Sequence, residues 1–334
     1  MATSFPYQLH HQNELVSRLN ALGGSRIPFL FIIDFEGQNG YIIPSDELDD
    51  RFVRFDFSEE TVLKRKADRH TGEKIEWKIT PINFEEYDSK FQFVMDQIHQ
   101  GNSYLVNLTQ PTEIQTNVSL LDLYQLGNSK YKLWLKDRFT VFSPEIFIKI
   151  SSGTISTFPM KGTIDATVAD AENVILNDPK EKAEHATIVD LLRNDLSIMA
   201  THVVVKRYRY IDKLCTNKNE LLQVSSEITG ILPKNYHNRL GDIVFSMLPA
   251  GSISGAPKNK TLEIIHQVEN YERGFYTGIC GWFDGNNLDS AVMIRYIEQK
   301  GNRFIFKSGG GITSQSESKK EYHELIEKVY APIY

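Results

Sequence analysis

Hydrophobic positions along this chain follow two spacings, one typical of strands and one typical of helices. Short apolar runs bounded by turn residues predict strands at Phe29–Phe35 and Phe52–Phe57. Apolar side chains at helical spacing predict a helix over Phe84–Gln100, which Gly101 ends. Later segments repeat both patterns, extended at 145–150, 153–158 and 202–211 and helical at 179–195, 259–268 and 319–331. The alternation predicts an α+β fold.

The most regular β pattern lies between residues 276 and 311. Three apolar stretches, 276–283, 288–299 and 303–308, are separated by turn residues, which predicts a three-stranded antiparallel meander. The middle stretch is apolar on both faces. A strand of that kind lies inside a layered protein, so we expect antiparallel sheets that are covered on both sides.

Length and composition are those of a globular protein. The chain has 334 residues, of which 41% are hydrophobic and 24% charged, and this excludes disordered and fibrous classes. The polar stretch 58–82 is the best candidate for a junction. We therefore predict a short β-rich N-terminal region, residues 1–83, packed on a main unit, residues 84–334.

Charge and cysteine content narrow the class of partner. The net charge is −6 and no basic block occurs, so neither nucleic acid nor an anionic membrane is expected as a partner. Cys215 and Cys280 are too far apart in sequence to suggest a disulfide framework or a zinc site. The longest apolar run, Phe29–Ile33, is too short to span a bilayer, and no secretion signal is evident. We expect a cytoplasmic protein.

Two features of the 276–311 segment call for an anion. Arg295 lies within the middle stretch that is apolar on both faces, and an unpaired buried guanidinium costs several kcal/mol. Its partner is either a structural Asp or Glu or the carboxylate of a substrate, which the planar guanidinium suits. Gly309–Gly311 are either an ordinary turn or a nest whose N–H groups converge on an anion.

Paired glutamates begin two of the predicted helices. Asp178–Glu181 and Ser318–Glu321 match the capping box, so the glutamates that close these boxes read first as helix caps. Glu184 and Glu324 lie three residues further along, on the same helix faces. The two pairs are either solvated helix surface or, if they face each other, oxygen ligands for Mg²⁺.

Lys161 and Glu145 are candidates for catalysis. Lys161 follows a strand and precedes a glycine; it is either a solvated lysine or an amine nucleophile activated by its surroundings. Glu145 is either an acid or base near it or a charge that blunts a strand edge. The segment GSISGAPK, 251–258, lacks the spacing of a phosphate-binding loop, and no nucleophilic triad is evident.

Taken together, these motifs resemble the chorismate-utilising enzymes over residues 84–333, in family order. The matching stretches are GNSYLVNLTQP (101–111), SPEIF (143–147), FPMKGT (158–163), EKAEHATIVDLLRNDL (181–196), PAGSISGAPK (249–258), RGFYTGICGWF (273–283), the strand 289–295, GGGI (309–312) and EYHELIEK (321–328). The resemblance implies two large antiparallel β-sheets packed as a sandwich, with helices outside and the active site in a cleft.

The resemblance also implies roles for particular residues. Mg²⁺ is expected at Glu184 and Glu324, with Glu181 and Glu321 beside them, and it would hold the ring carboxylate of chorismate. The other residues expected to contact the substrate are Tyr276, Arg295, Gly309, Gly310, Gly311, Gly162 and Thr163.

The residue at position 161 separates the subfamilies. Anthranilate synthases usually carry alanine there, whereas Lys161 resembles aminodeoxychorismate synthase component I. That subfamily aminates chorismate at C4 to 4-amino-4-deoxychorismate, a precursor of p-aminobenzoate and folate, through a lysine adduct at C2. Glu145 would assist the proton transfers, and ammonia would come from a separate glutamine amidotransferase subunit.

Two alternatives remain open at this stage. The chain could be anthranilate synthase component I, or a non-catalytic chorismate-binding subunit that serves as a scaffold. Gln223 stands where many members carry a histidine that anthranilate synthases connect with pyruvate loss. This replacement opposes elimination chemistry. The N-terminal region is also shorter than usual, so a bound regulatory tryptophan is not expected.

Overall fold

A computed structural model describes residues 5–57, 75–215 and 220–332. Its strands, in chain order, are β1 (His10–His11), β2 (Phe29–Ile33), β3 (Asn39–Pro44), β4 (Val53–Phe57), β5 (Trp77–Thr80), β6 (Leu105–Thr116), β7 (Tyr131–Leu135), β8 (Phe139–Ser143), β9 (Ile146–Ser151), β10 (Thr154–Thr157), β11 (Met160–Asp165), β12 (Thr201–Cys215), β13 (Glu220–Ile231), β14 (Gly255–Ala256), β15 (Ile279–Phe283), β16 (Leu288–Val292), β17 (Tyr296–Lys300) and β18 (Arg303–Ile312). Its α-helices are α1 (Gln12–Gly24), α2 (Phe84–His99), α3 (Leu120–Leu126), α4 (Ala171–Asn177), α5 (Pro179–Ser197), α6 (Leu240–Ser246), α7 (Gly251–Ser254), α8 (Lys258–Val268) and α9 (Ser318–Glu327).

Two large antiparallel sheets form the centre of the protein, which confirms the predicted fold class. The first has the strand order β1-β3-β2-β15-β16-β9-β10-β13-β11, with β12 beside β13. The second has the order β14-β6-β18-β17-β8-β7-β4, with β5 beside β6. Side chains of both sheets share one apolar core, and helices α1, α5 and α6 cover the other face of the first sheet. Helices α2, α8 and α9 cover the second sheet in the same way.

Strand β2 explains why the early apolar run has no polar face. Phe29, Phe31 and Ile33 pack toward the helices, while Leu30 and Ile32 pack toward the second sheet. The strand pairs with β15 in the first sheet, and β4 pairs with β7 in the second. Most of the predicted junction, residues 58–74, lies outside the described residues, so the division at residue 83 stays a prediction.

The predicted meander of residues 276–311 is wrong. Strands β15 and β16 form a hairpin in the first sheet, whereas β17 and β18 form a second hairpin in the other sheet. Residues 293–295 cross between the sheets, and Arg295 adopts a left-handed backbone conformation there, with φ of 52°. The stretch is apolar on both faces because it passes through the interior of the sandwich.

The starts of α2 and α5 are predicted correctly, and in both helices the capping side chain belongs to the residue just before the first turn. Asn83 accepts the backbone N–H of Glu86 at the start of α2, and Asp178 accepts that of Glu181 at the start of α5. The second predicted capping box is wrong, because α9 has no side-chain cap and the Ser318 hydroxyl has no hydrogen-bond partner. None of the helices within the described ranges is long and apolar enough to cross a membrane.

Candidate active site

A cavity of about 140 Å³ opens beside the crossing between the two sheets. Its walls come from the end of β18, from β6, from the turn before β9 and from the crossing itself. The residues predicted from sequence that line it are Glu145, Lys161, Tyr276, Arg295, Gly309, Gly310 and Gly311. Residues that are far apart in sequence therefore meet in one place.

Lys161 enters the cavity from β11. The strand has an irregular register between Met160 and Thr163, and Gly162 adopts φ of 80° at this point. The Lys161 side chain is 21% exposed, and its Nζ lies 3.7 Å from Oε2 of Glu184. The amine is therefore held beside a carboxylate at the cavity wall.

Glu145 lies between β8 and β9 and also faces the cavity. Its carboxylate accepts a hydrogen bond from the hydroxyl of Ser252. Burial raises the pKa of Glu145, while that hydrogen bond and the positive charges of Lys161 and Lys328 oppose the rise. Ser252 belongs to the segment GSISGAPK, and nothing in the sequence pattern indicates its contact with Glu145. The segment forms α7 and β14.

The three consecutive glycines are extended, so both alternatives for them, an ordinary turn and a nest, are wrong. They continue β18 and pair with residues 107–109 of β6, and none of them has a positive φ. A side chain at Gly309 or Gly311 would lack room, whereas Gly310 has ordinary contact distances. A Cβ at Gly309 would lie 2.5 Å from Cγ2 of Thr109, and one at Gly311 would lie 3.2 Å from Nζ of Lys161. Glycine is needed here for close approach and not for a left-handed turn.

The glycine strand presents a free edge to the cavity. Pairing with β17 ends at Lys307, so among the described strands the next residues of β18 are paired only with β6. Nζ of Lys328 donates to the Gly309 carbonyl at 2.9 Å on the side away from β6. Each strand residue directs its N–H and C=O to the same edge, and alternate residues share that edge. The N–H groups of Gly309 and Gly311 therefore face the cavity, where they can bind an anion.

Arg295 supplies a positive charge to the same cavity. Its Nη1 donates to the Lys328 carbonyl at 3.0 Å, and its guanidinium lies 4.6 Å from the centre of the Tyr330 ring. No carboxylate in the described part of the chain forms an ion pair with it. A structural salt bridge, one of the two alternatives, is therefore absent from those residues.

Helices α5 and α9 bring the four predicted glutamates together. Nζ of Lys180, in the first turn of α5, lies 3.1 Å from Oε1 of Glu321 on α9. The same Nζ lies 3.8 Å from Oε1 of Glu184. Glu324 pairs with Lys328 at 2.7 Å, and a Cβ at Gly162 would lie 3.0 Å from Oε2 of Glu181. The side chain of Glu321 thus contacts Lys180 and takes no part in the predicted capping box, whose serine lies inside α9.

The glutamates of the two helices differ in their electrostatic surroundings. Burial raises the pKa of Glu184, and the charges of Glu321 and Glu324 add to the rise. Burial also raises the pKa of Glu181, helped by the nearby charge of Glu184. Burial raises the pKa of Glu324 too, but contact with Lys328 outweighs it, so this pKa lies below its usual value.

The donor chemistry of this cluster suits a hard divalent cation. Carboxylate oxygens are the ligands that Mg²⁺ prefers, and Glu184, only 8% exposed, has an Oε1 with no hydrogen-bond partner. A buried anionic oxygen without a partner is costly, so a cation there would stabilise it. Within the described ranges, no three acidic, histidine or cysteine side chains already enclose a metal position. Lys180 stands between Glu184 and Glu321 instead.

A buried ion pair behind the cavity was not found from sequence. Arg273 is 3% exposed and donates to both oxygens of Glu269, at 2.8 and 2.7 Å. It also donates to the carbonyls of Asn107 at 2.6 Å and Ile253 at 3.0 Å. Arg273 thus ties β6 and α7 together where both line the cavity. In the sequence, only its position in the family-matching stretch RGFYTGICGWF, 273–283, distinguished Arg273 from other arginines.

Two predicted substrate contacts do not line the cavity. Thr163 is exposed and pairs with Gln223 on β13, and Gly162 faces Glu181. A role for either in substrate binding stays a prediction.

Comparison with known proteins identifies one family. A family described as chorismate binding enzyme matches residues 35–334. An uncharacterized PabA-like protein of Haemophilus influenzae is 49% identical over 320 residues, which cover 95% of this chain and 96% of that protein.

More distant relatives have named activities. Aminodeoxychorismate synthase component 1 of Klebsiella aerogenes is 32% identical over 73% of this chain and 56% of its own length. Anthranilate synthase component 1 of Mycobacterium tuberculosis is 32% identical over 75% of this chain and 51% of its own length. This chain therefore spans about half the length of these two relatives. Anthranilate synthase component I from Streptococcus pneumoniae has the same fold, with a TM-score of 0.68 at 23% identity over 98% of this chain and 81% of that one.

Proposed function

This chain belongs to the family of chorismate-binding enzymes, and from that membership we propose that it aminates chorismate at C4 to give 4-amino-4-deoxychorismate. The observation that carries the proposal is that Lys161 and Glu145 line one cavity together with the free edge of β18. An amine, a carboxyl group and an anion-binding edge are the groups that this reaction requires. The relative from Klebsiella aerogenes, an aminodeoxychorismate synthase component 1, supports the assignment.

In the proposed mechanism, the uncharged amine of Lys161 attacks C2 of the ring. The two ring double bonds shift, the C4–O bond breaks, and the hydroxyl leaves as water with a proton from Glu145. Ammonia then forms a bond to C4, the double bonds shift back, and the C2–N bond to Lys161 breaks. Glu145 takes up the proton that ammonia releases, so the sum is chorismate plus ammonia to aminodeoxychorismate plus water.

The remaining groups bind and orient the substrate. The N–H groups of Gly309 and Gly311, with Arg295 and the hydroxyl of Tyr276, would receive the enolpyruvyl carboxylate. When bound at Glu184 and Glu324, with Glu181 and Glu321 beside them, Mg²⁺ would neutralise the ring carboxylate and fix its position. We propose that a separate glutamine amidotransferase subunit supplies the ammonia.

Product identification tests this assignment. The purified chain is incubated with chorismate, Mg²⁺ and ammonium, and the product is identified by mass spectrometry. We expect aminodeoxychorismate, which retains the enolpyruvyl group. Anthranilate with released pyruvate would support the alternative enzyme of the family. Chorismate binding without turnover would support a scaffold subunit.

Replacing Lys161 tests the nucleophile. We expect Lys161→Ala to lose ammonia-dependent amination by about a thousandfold or more, since the adduct can no longer form. Lys182→Ala, an exposed lysine of the same charge on α5, serves as the control and should retain full activity. Full activity of Lys161→Ala would refute the covalent mechanism.

A further inference from the structure

Lys180 forms an ion pair that connects two helices near the cavity. Its ammonium group joins Glu184 of α5 to Glu321 of α9, at 3.8 and 3.1 Å, and the side chain is 35% exposed. Two other lysines, Lys161 and Lys328, also contact the four glutamates, and each of them has a further contact at the cavity. Lys161 lines the cavity, and Lys328 donates to the Gly309 carbonyl as well as pairing with Glu324. Only Lys180 among these three bridges the two helices.

We propose that Lys180 is a built-in competitor of the divalent cation, occupying the gap between Glu184 and Glu321 in the metal-free protein. This inference rests on the proposed function, because it takes the glutamate cluster as the metal site. Because Glu184 is both a proposed metal ligand and a partner of Lys180, a bound metal would displace the ammonium group toward solvent. Lys180 would thus keep the carboxylates together in the absence of metal, at the expense of metal affinity.

The charges around the gap favour this assignment. Four glutamates meet three lysines in the cluster, so without Lys180 the local charge would fall from −1 to −2. Glu184 and Glu321 repel each other, and burial strengthens that repulsion. Oε1 of Glu184 has no hydrogen bond that could compensate. A cation between the two carboxylates is therefore required, and the lysine is the one at hand.

The side chain of Lys180 can also move. Lysine carries a point charge on a flexible four-carbon stem, and this one is partly exposed, so its ammonium group can reach water without unfolding α5. The bond to Glu321 is the shorter of its two contacts. The carboxylate of Glu321 is buried, 4% exposed, so the ammonium group can leave it only when another cation, such as the divalent metal, takes its place.

Calorimetric titration of MgCl₂ into the metal-free full-length chain, without chorismate, tests the proposal. We expect Lys180→Gln to bind Mg²⁺ at least about tenfold more tightly than the wild type, a change of about 1.4 kcal/mol. Lys180→Arg keeps the charge and should stay within about threefold of the wild type. Lys182→Gln, whose ammonium contacts only Asn177 among the described residues, is the control for general charge and should also stay within about threefold.

A labelling experiment on the wild-type chain tests the same idea without a variant that could fail to fold. Lysines are reductively methylated with and without MgCl₂, and the peptides are quantified by mass spectrometry. We expect Mg²⁺ to increase methylation of Lys180 about threefold or more and to leave Lys182 unchanged. Equal or lower labelling of Lys180, or Mg²⁺ affinities equal for Lys180→Gln and Lys182→Gln, would overturn the proposal. No measurable Mg²⁺ binding by any form would instead refute the proposed metal site.

Discussion

Glu145 illustrates how a single neighbour adjusts a candidate catalytic group. From the sequence this residue is either a candidate acid or base or a charge near a strand edge, and the fold buries it beside Ser252. Burial raises its pKa, and the hydroxyl of Ser252 stabilises the ionised form and opposes that rise. The pKa of this carboxyl therefore depends on a residue that lies more than a hundred positions away.

Removing that hydroxyl predicts a shift of the pH–rate profile. In Ser252→Ala the pKa of Glu145 should rise further, because the ionised carboxylate loses its donor. Whether catalysis needs the ionised or the protonated form, the corresponding limb of the kcat/KM profile should move to higher pH. The profile is measured with ammonia for this variant and for Ser254→Ala, whose hydroxyl donates to the carbonyl of Ala250, the residue before α7. Identical profiles for both variants would contradict the prediction.

His185 makes stability depend on pH. The side chain is fully buried, its Nε2 lies 2.7 Å from the hydroxyl of Ser226, and burial lowers its pKa to about 4. The unfolded chain binds the proton near the ordinary pKa of 6.5, so between pH 6.5 and 4 the unfolded state holds more protons than the folded state. Stability is therefore full above this range and falls as the pH is lowered through it.

Urea unfolding at two pH values checks this effect. For the wild type, we expect the contribution of His185 to reduce the free energy of unfolding by about 2 kcal/mol between pH 7 and pH 5. In His185→Gln that pH-dependent loss should be smaller by the same amount, whatever the variant's stability at pH 7. An equal loss in both proteins would show that other groups cause it.

At the scale of elements, β18 serves both as a sheet strand and as a wall of the cavity. The surroundings of Gly309 and Gly310 differ: a Cβ at Gly309 would meet β6, whereas one at Gly310 would lie toward Glu321 and Glu324. A Cβ at Gly309 would lie 2.7 Å from the Leu108 carbonyl oxygen. A Cβ at Gly310 would find Oε2 of Glu321 as its nearest neighbour, at an ordinary 3.5 Å.

Two alanine variants should separate these roles. We expect Gly309→Ala to destabilise the fold by about 2 kcal/mol, because overpacking against backbone cannot relax cheaply. Gly310→Ala should change stability by less than about 0.5 kcal/mol but raise the KM for chorismate about tenfold, since its methyl group projects toward the proposed carboxylate and metal positions. Thermal unfolding and steady-state kinetics of both variants provide the measurement. The opposite ranking would disprove this account of the strand.

Helices α5 and α9 show when a sequence pattern is sufficient to predict the N-cap of a helix. At α5, the cap is made by Asp178 from within the same turn, so the sequence predicted it correctly. At α9, the matching serine makes no cap, because the helix begins one residue earlier than the pattern predicts. Glu317 is its N-cap residue, and the Glu317 carbonyl accepts the backbone N–H of Glu321. A spacing that matches the capping box therefore does not fix which residue becomes the cap.

At the scale of the whole molecule, the N-terminal strands are part of both sheets. Phe29, Phe31 and Ile33 are fully buried, and β2 covers the edge of β15 that leads into the crossing. Burial of each such side chain contributes about 2 to 3 kcal/mol. A main unit without these strands would lose that core and expose an unpaired apolar strand.

Cutting the chain at the predicted boundary tests this dependence. We expect a fragment of residues 84–334 to aggregate or to lack a cooperative thermal transition, because β15 and β7 lose their partners. Co-expression with residues 1–83 should restore soluble, cooperatively folding protein. Circular dichroism and calorimetry monitor both preparations. A stable, cooperatively folding fragment would show instead that residues 84–334 form an independent domain.

Much of the candidate site could be predicted because the type of each residue and its local motif indicate the chemistry it can perform. Lys161, Glu145, Arg295 and the glycine run were all predicted from the sequence, and they line one cavity. The groups that hold them in place, Ser252, Arg273 and Lys180, were not identified. Each acts through a partner far away in sequence, and no spacing along the chain records such a contact.

The sequence alone determined the periodicities, most element positions, the α+β class and the motifs of the family. These follow from local spacing, because a residue's position along a helix or strand determines on which face of that element its side chain lies. Only the tertiary structure revealed that residues 293–295 leave one sheet for the other, that the glycines are extended, and that Lys180 bridges two helices. Pairing partners and ion pairs are chosen by the free energy of the whole packed molecule, in which distant segments compete for the same surfaces.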